Sequence, residues 1–119
     1  MTYVTSNVPT GVDICGMEIL KDCFGREVRL TNERLLHILE HPEMRGMEPE
    51  IGKTLIQPHL VRRSRSDATT RLFYELYTQT LVGEKWLCIV VKYAEKDAFV
   101  VTAYLTVKPK PGEELWPMK

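Results

Sequence analysis

Arg34, His37 and His41 are the side chains of this sequence whose types and spacing best suit proton transfer. They are three and four residues apart, so on a helix at 100° per residue they share one side. Imidazole titrates near neutral pH and a guanidinium binds phosphate. The three residues therefore indicate general acid–base chemistry beside a phosphate group. The alternative is a solvated helix face without a chemical role.

The two histidines do not have the pattern of a metal site. A zincin requires a glutamate directly after the first histidine and a third ligand, whereas Ile38 follows His37. Cys15, Cys23 and Cys88 are odd in number and widely spaced, which argues against a disulfide framework and against a zinc knuckle. We therefore predict no metal and no cofactor.

The basic cluster at residues 62–67 is a second candidate for phosphate binding. If a strand continues through it, Arg63 and Arg65 point to one face and Ser66 points to the other. Guanidinium groups suit phosphate, and serine hydroxyls can add hydrogen bonds. Arginines on an edge strand also act simply against aggregation, so the cluster alone leaves both interpretations open.

Polar residues within apolar strands form the third set of candidates. Lys92 ends the most apolar run of the chain, and Thr102 and Tyr104 alternate with apolar neighbours. This alternation predicts a polar stripe that faces away from the helices. Tyr74 and Tyr77 lie on opposite faces of a neighbouring strand, so only one of them can join the stripe. Threonine and tyrosine are also common in strands for packing reasons alone.

Together, the three sets contain side chains that metal-free cleavage of RNA requires. A base must remove the proton of the 2′-hydroxyl, and an acid must protonate the leaving 5′-oxygen. Cationic or hydroxyl donors must stabilise the phosphorane. The chain has no P-loop, Rossmann glycine pattern, acidic metal cluster or serine-hydrolase elbow.

Two helices, a hairpin and a set of strands must position these side chains. Residues 17–21 and 26–30 flank a turn with a glycine and predict a short hairpin. The histidine helix is predicted at about 31–41 and a second helix at about 48–57, each followed by a proline. After the second helix, apolar residues recur at every second position, and this alternation predicts an antiparallel meander. Its strands are predicted at residues 60–66, 70–78, 86–93 and 98–106.

The predicted fold class is α+β, with a short N-terminal hairpin and two helices packed on a four-stranded antiparallel meander sheet. We predict that residues 1–15 are a flexible arm, with an edge strand at Val8 to Ile14 as the alternative, and that residues 16–119 form one domain. The tail from Lys108 is predicted to be extended, either free or with Trp116 docked on the body. The 16 basic and 16 acidic residues balance, so the net charge gives no argument for nucleic acid or membrane. Without a signal peptide or transmembrane run, the chain is predicted to be cytoplasmic.

The order of several motifs resembles a group of small phage and bacterial proteins. The motifs are Leu30-Thr31-x-Glu33-Arg34-x-x-His37-Ile38-Leu39-x-His41-Pro42-Glu43, Ile51-x-x-Thr54-Leu55-x-x-Pro58, Val90-Val91-Lys92, Phe99-Val100-Val101-Thr102-Ala103-Tyr104-Leu105-Thr106 and Lys110-x-Gly112-Glu113-x-x-Trp116. They extend from about residue 20 to residue 116. This combination is similar to the nucleases of the barnase, EndoU, colicin and RelE-like fold, abbreviated BECR.

The resemblance implies a metal-independent endoribonuclease of the toxin or phage-conflict type that cleaves RNA by transphosphorylation. It implies a helical N-terminal part followed by a four-stranded antiparallel sheet. The expected partners are RNA, in some cases bound to a ribosome, and an antitoxin or immunity protein, with no membrane. The alternative is a non-catalytic RNA- or protein-binding module on the same fold.

Carried over to matching positions, the resemblance gives His37 and His41 on the helix and Arg65 or Ser66, Tyr74, Lys92, Thr102 and Tyr104 on the strands. Together with Arg34 of the helix and Arg63 of the basic cluster, these residues form two groups of site candidates. One histidine would be the general base or acid, while lysine and arginine stabilise the phosphate and the strand hydroxyls position it. Histidines that face the same cleft as Lys92 would favour catalysis, and histidines that face solvent would favour binding. The catalytic candidates are His41, His37, Lys92, Thr102 and Tyr104, and the substrate-binding candidates are Arg34, Arg63, Arg65, Ser66 and Tyr74.

Overall fold

Two α-helices, a 3₁₀ turn and eight strands make up the part of the chain that the computed structural model describes, residues 12–13 and 16–117. No helix in this part is long and apolar enough to cross a membrane. In chain order the elements are β1 (Val12–Asp13), β2 (Met17–Lys21), β3 (Glu27–Thr31), α1 (Asn32–Leu39), the 3₁₀ turn (Pro42–Met44), α2 (Glu48–Ile56), β4 (Leu60–Arg63), β5 (Thr70–Thr80), β6 (Gly83–Tyr93), β7 (Ala98–Thr106) and β8 (Glu113–Trp116). Apart from β1, the predicted arm lies outside the described residues.

The local sequence explains where helix α1 begins and where it ends. The Thr31 hydroxyl accepts a hydrogen bond from the Arg34 backbone N–H at 3.1 Å and so caps the first turn. Pro42 disfavours helical backbone angles at the residue before it, and His41 is accordingly extended, with φ −83° and ψ 113°. The helix therefore ends shortly before the position predicted, while Ile38 is fully buried against the sheet.

All eight strands belong to one mixed sheet, in the order β1-β2-β3-β7-β6-β5-β4-β8. Strands β4 to β7 form the antiparallel meander that the sequence predicts. Strand β3 pairs in parallel with β7 at Arg29 and Phe99, and β8 pairs antiparallel with β4. The predicted architecture, with a hairpin and two helices packed on a four-stranded sheet, is therefore wrong. The hairpin extends one edge of the sheet and the C-terminal tail extends the other.

The two faces of the sheet differ in what covers them. Both helices pack on one face, called the helix side, over the main apolar core. The core residues are Val28, Leu30, Ile38, Met44, Ile51, Leu55, Val61, Phe73, Leu87, Ile89, Val91, Tyr93, Ala98, Val100 and Ala103. The opposite face, called the open face, carries a smaller cluster of Leu72, Tyr74 and Cys88, with Leu60, Trp86, Val90 and Tyr104 beside them.

A buried carboxylate joins the N-terminal hairpin to the meander. Asp22 is fully buried in the turn between β2 and β3. It accepts hydrogen bonds from the backbone N–H groups of Phe24 and Arg26 at 2.9 and 2.8 Å, and from the Tyr93 hydroxyl at 2.6 Å. The Arg71 guanidinium lies 4.8 Å and 4.4 Å from the Phe24 and Tyr93 ring centroids. These contacts stabilise the added edge of the sheet, since a buried carboxylate needs such partners.

The segment that links β7 to β8, residues 107–112, crosses the open face and is called the strap. It must pass β6, β5 and β4, because β8 lies beyond β4 in the strand order. The Lys110 backbone N–H donates to the Tyr74 hydroxyl at 3.0 Å, and the Lys110 carbonyl accepts from the Arg62 guanidinium at 2.8 Å. The strap is therefore fastened to the sheet at Lys110.

Candidate functional site

An open cleft of about 640 Å³ lies on the open face between the strap and the turn after β4. Apolar side chains from β5 and β6 form its floor, and polar groups from the turn, β7 and the strap surround it. Its lining residues are Ser64, Arg65, Ser66, Asp67, Thr70, Leu72, Val90, Thr102, Tyr104, Lys110 and Pro111. A concave surface with an apolar floor and a few convergent polar groups is the usual form of a binding site.

Asp67 organises the turn that forms one wall of the cleft. Its carboxylate accepts hydrogen bonds from the Thr69 backbone N–H and hydroxyl at 3.0 and 2.6 Å, and from the Thr70 hydroxyl at 2.9 Å. The Lys92 ammonium lies 2.6 Å from the same carboxylate. The hydrogen bond from Lys92, followed by those from Thr69 and Thr70, holds the pKa of Asp67 well below its usual range. Asp67 is therefore a very weak base and serves to position Lys92.

The polar stripe predicted on β7 is confirmed on the open face. Thr102 pairs with Val90, and Tyr104 pairs with Cys88, so both polar side chains lie beside the apolar floor. Burial, followed by the neighbouring Cys88 thiol, raises the pKa of Tyr104 above its usual value. Its hydroxyl therefore stays protonated at neutral pH and can donate a hydrogen bond to a ligand.

Two cationic side chains of the cleft have no carboxylate partner. Among the described residues, no ion pair involves Arg65 or Lys110, and both residues are exposed. Lys92, by contrast, is paired with Asp67. The cleft therefore has excess positive charge although the whole chain is formally neutral.

The histidine set lies on the other side of the molecule from the cleft. Arg34, His37 and His41 are exposed on the helical layer, and α1 packs on the helix side through Ile38. The His37 side chain is 59% exposed, and its Nδ1 lies 3.6 Å from the nearer Glu40 carboxylate oxygen. The sheet separates these side chains from Lys92 and Thr102. The structure therefore does not bring the helix and strand candidates into one site.

Arg63 does not act together with Arg65 as the strand pattern predicts. Strand β4 ends at Arg63, and the turn that follows begins where the Ser64 backbone N–H donates to the Thr70 carbonyl at 2.9 Å. Arg63 pairs across the sheet with Arg71 on the helix side and lies 3.3 Å from a Glu113 carboxylate oxygen. The prediction that the strand continues to residue 66 is wrong because Asp67 stabilises a turn there.

Tyr74 holds the strap and does not line the cleft. Its side chain is fully buried, and its hydroxyl accepts the hydrogen bond from Lys110. Burial and the neighbouring Cys88 raise the pKa of Tyr74 to about 12. Tyr77 lies on the opposite face, where its hydroxyl donates to a Glu50 carboxylate oxygen at 2.8 Å. Only Tyr74 is on the open face, as the alternation predicts.

Several cleft residues have no direct signal in the sequence. Lys110 lies between two prolines in a tail predicted to be extended, and only the crossing of the strap brings it to the cleft. Asp67 was part of the basic cluster, but its hydrogen bonds depend on the turn. The sequence Asp67-x-Thr69-Thr70 is a local signal that was available, since aspartate followed by threonine favours such side-chain-to-backbone turns.

Comparison of the chain with protein-family models, with curated proteins and with solved structures found no match.

Proposed function

We propose that this protein binds RNA and that the cleft on the open face holds the RNA phosphate groups. The observation that carries the proposal is the pair of uncompensated cations, Arg65 and Lys110, on the rim of an open cleft with an apolar floor. The hydroxyls of Ser66, Thr102 and Tyr104 surround the same space and can add hydrogen bonds to phosphate oxygens.

The charge distribution supports a local contact with a polyanion. Phosphate contacts supply most of the non-specific affinity for nucleic acids, and each neutralised phosphate releases counterions. A formally neutral chain gains no general attraction to RNA, so its affinity must come from the residues of the cleft. In this proposal the RNA is free or bound to a ribosome, the protein acts in the cytoplasm, and an antitoxin or immunity protein is a candidate partner that would cover the cleft.

Fluorescence anisotropy with a labelled 12-nucleotide RNA at low salt tests this proposal. The double change Arg65→Ala, Lys110→Ala removes both cations, and it leaves the strap in place because Lys110 binds Tyr74 and Arg62 through its backbone. We expect affinity to fall about tenfold or more, and the slope of log K against log salt to become shallower by about 1.4, or about 0.7 for each contact with single-stranded RNA.

Arg34→Ala is the matched control, because it removes an exposed cation from the opposite side of the sheet. The control should bind RNA like the wild type. RNA binding that is unchanged in the cleft variant, or lost equally in the control, would contradict the proposal.

A second candidate function is metal-independent cleavage of RNA in the same cleft. It is favoured by the protonated Tyr104 hydroxyl, which lies beside Thr102 and near the Lys92–Asp67 pair. These groups could stabilise the phosphorane, and the phenol could give its proton to the 5′-oxygen. Among the described residues that line the cleft there is no histidine, and Asp67 is a weak base. The cleft is therefore better equipped for binding than for removing the 2′-hydroxyl proton.

A further inference from the structure

A row of four side chains extends from the cleft across the open face, and it includes neither Arg65 nor Lys110, the two cations proposed to bind phosphate. Thr70 pairs with Lys92, Lys92 pairs with Phe99, and Phe99 pairs with Arg29. Residues paired across neighbouring strands share one face of a sheet, and Thr70 lines the cleft. The row therefore starts at the cleft and runs over β5, β6, β7 and β3.

The row places an aromatic ring between two anchored cations. Phe99 is half-buried, and the Arg29 guanidinium lies 5.6 Å from its ring centroid. Asp97 binds Arg29 with two hydrogen bonds of 2.9 and 2.7 Å, as Asp67 binds Lys92 on the other side. Neighbouring strands are about 4.8 Å apart, so the row measures about 10 Å from Lys92 to Arg29.

A second, smaller pocket continues the row at the turn between β6 and β7. It has a volume of about 270 Å³ and is lined by Arg26, Glu27, Arg29, Lys96, Asp97 and Ala98. Asp97 is neutralised by Arg29, so Arg26 and Lys96 outweigh Glu27. No ion pair in the described part of the chain involves Lys96. The pocket therefore has a positive charge available for one more phosphate.

We propose that this row is a second subsite for RNA, in which an unpaired base stacks at Phe99 between Lys92 and Arg29, and Lys96 contacts the next phosphate. This inference rests on the proposed function and names its substrate class as single-stranded RNA. A base within a duplex is stacked on both faces by its neighbours and cannot stack on the protein. An unpaired base can stack on an aromatic ring or on the guanidinium plane of an arginine side chain.

The test compares a labelled 12-nucleotide single-stranded RNA with its blunt duplex by fluorescence anisotropy. Phe99→Leu retains an apolar side chain and removes the ring, and we expect it to weaken single-strand binding about fivefold or more with no change for the duplex. Lys96→Ala alters only an exposed side chain and should make the salt slope for the single strand shallower by about 0.7. Arg34→Ala serves again as the charge control.

The outcomes separate this subsite from the cleft. If Phe99→Leu and Lys96→Ala bind the single strand like the wild type while the Arg65→Ala, Lys110→Ala variant loses affinity, the second subsite is refuted and the cleft stands. If the wild type binds the duplex more tightly than the single strand, the substrate class is refuted. A folded wild type that binds neither RNA overturns both proposals.

Discussion

Carboxylate partners distinguish two kinds of cation on the open face. The Lys92 ammonium lies 2.6 Å from the Asp67 carboxylate, and the Arg29 guanidinium lies 2.7 Å from the Asp97 carboxylate. Arg65 has no such partner among the described residues. The hydrogen bonds from these cations hold the pKa values of Asp67 and Asp97 below their usual range. A lowered pKa means that both pairs persist until the pH falls below the range in which free aspartate titrates. Asp67 and Asp97 therefore keep their negative charges across neutral pH.

The second candidate function gives a prediction about single residues. If the cleft cleaves RNA, Tyr104→Phe should lower the cleavage rate about 100-fold, the size of a typical contribution from a positioned acid. The double change His37→Ala, His41→Ala should leave the rate unchanged, because the sheet separates both imidazoles from the cleft. The measurement is the appearance of 2′,3′-cyclic phosphate ends from a mixed RNA pool in EDTA, with and without ribosomes.

The result distinguishes three interpretations. Loss of cleavage in the histidine variant alone would move the site to α1 and contradict the placement in the cleft. No cleavage by wild type that still binds RNA would leave the binding function. Tyr104→Phe also serves as a binding variant, since the loss of one hydroxyl should change RNA affinity far less than the loss of two cations.

At the level of elements, a β-bulge decides which β7 side chains reach the open face. Val90 pairs with Thr102 and Val91 pairs with Val100, so one residue of β7, Val101, is left over between them. Strict alternation from Thr102 would turn Phe99 toward the helix side, whereas the extra residue returns it to the open face. The bulge therefore places Phe99 in the same surface as the polar stripe, which the sequence pattern alone did not show.

The strap depends on a glycine where it meets β4. A Cβ at Gly112 would clash with the backbone carbonyl oxygen of Arg63. We expect Gly112→Ala to lower the free energy of unfolding by about 1–3 kcal/mol, the usual cost of overpacking. It should also weaken RNA binding, because the displaced strap carries the Lys110 side of the cleft. Urea unfolding and RNA anisotropy measure the two effects.

Gly52→Ala is the matched control for this variant. Gly52 lies within α2, where an added Cβ would make an ordinary contact at 3.4 Å with a Leu20 methyl. Alanine in a helix interior is favoured over glycine by about 0.5–1 kcal/mol. Gly52→Ala should therefore be neutral or stabilising and should leave RNA binding unchanged. A Gly112→Ala protein that is as stable as Gly52→Ala would show that the strap can form without the close contact between residue 112 and the Arg63 backbone.

At the level of the whole molecule, the buried Asp22 couples the N-terminal hairpin to the meander. Burial and the hydrogen bond to Asp22 raise the pKa of Tyr93, so its hydroxyl remains the donor in this contact. Tyr93→Phe leaves the carboxylate without one of its partners in a buried position. We expect the free energy of unfolding to fall by about 1–3 kcal/mol, as for other hydrogen bonds to charged groups.

Tyr104→Phe is a suitable reference in the same urea titration. It also removes a tyrosine hydroxyl, but within the described structure the Tyr104 hydroxyl makes no hydrogen bond to a carboxylate. Tyr104→Phe should lower the free energy of unfolding by less than Tyr93→Phe does. Equal losses in the two variants would mean that the contact between Asp22 and Tyr93 adds nothing specific to the docking of the hairpin.

The sequence by itself determined the local elements, because their signals lie within a few residues of one another. The threonine cap and the proline place α1, and alternation places the meander strands and the polar stripe of Thr102 and Tyr104. The positions of the histidines on one exposed side of their helix also follow from spacing alone.

Only the tertiary structure decided which of these surfaces meet. The contact of Arg29 with Asp97 joins residues 68 positions apart, and that of Arg62 with the strap joins residues 48 positions apart. Neither has a local signal, because each depends on the free energy of packing distant segments together. Those contacts add the hairpin and the tail to the sheet and bring Lys110 to the cleft that Arg65 lines. The histidines lie on the opposite side of the sheet because α1 packs there through Ile38. The candidate site therefore lies on the sheet and the strap, and not on helix α1, whose histidines were the strongest candidates in the sequence.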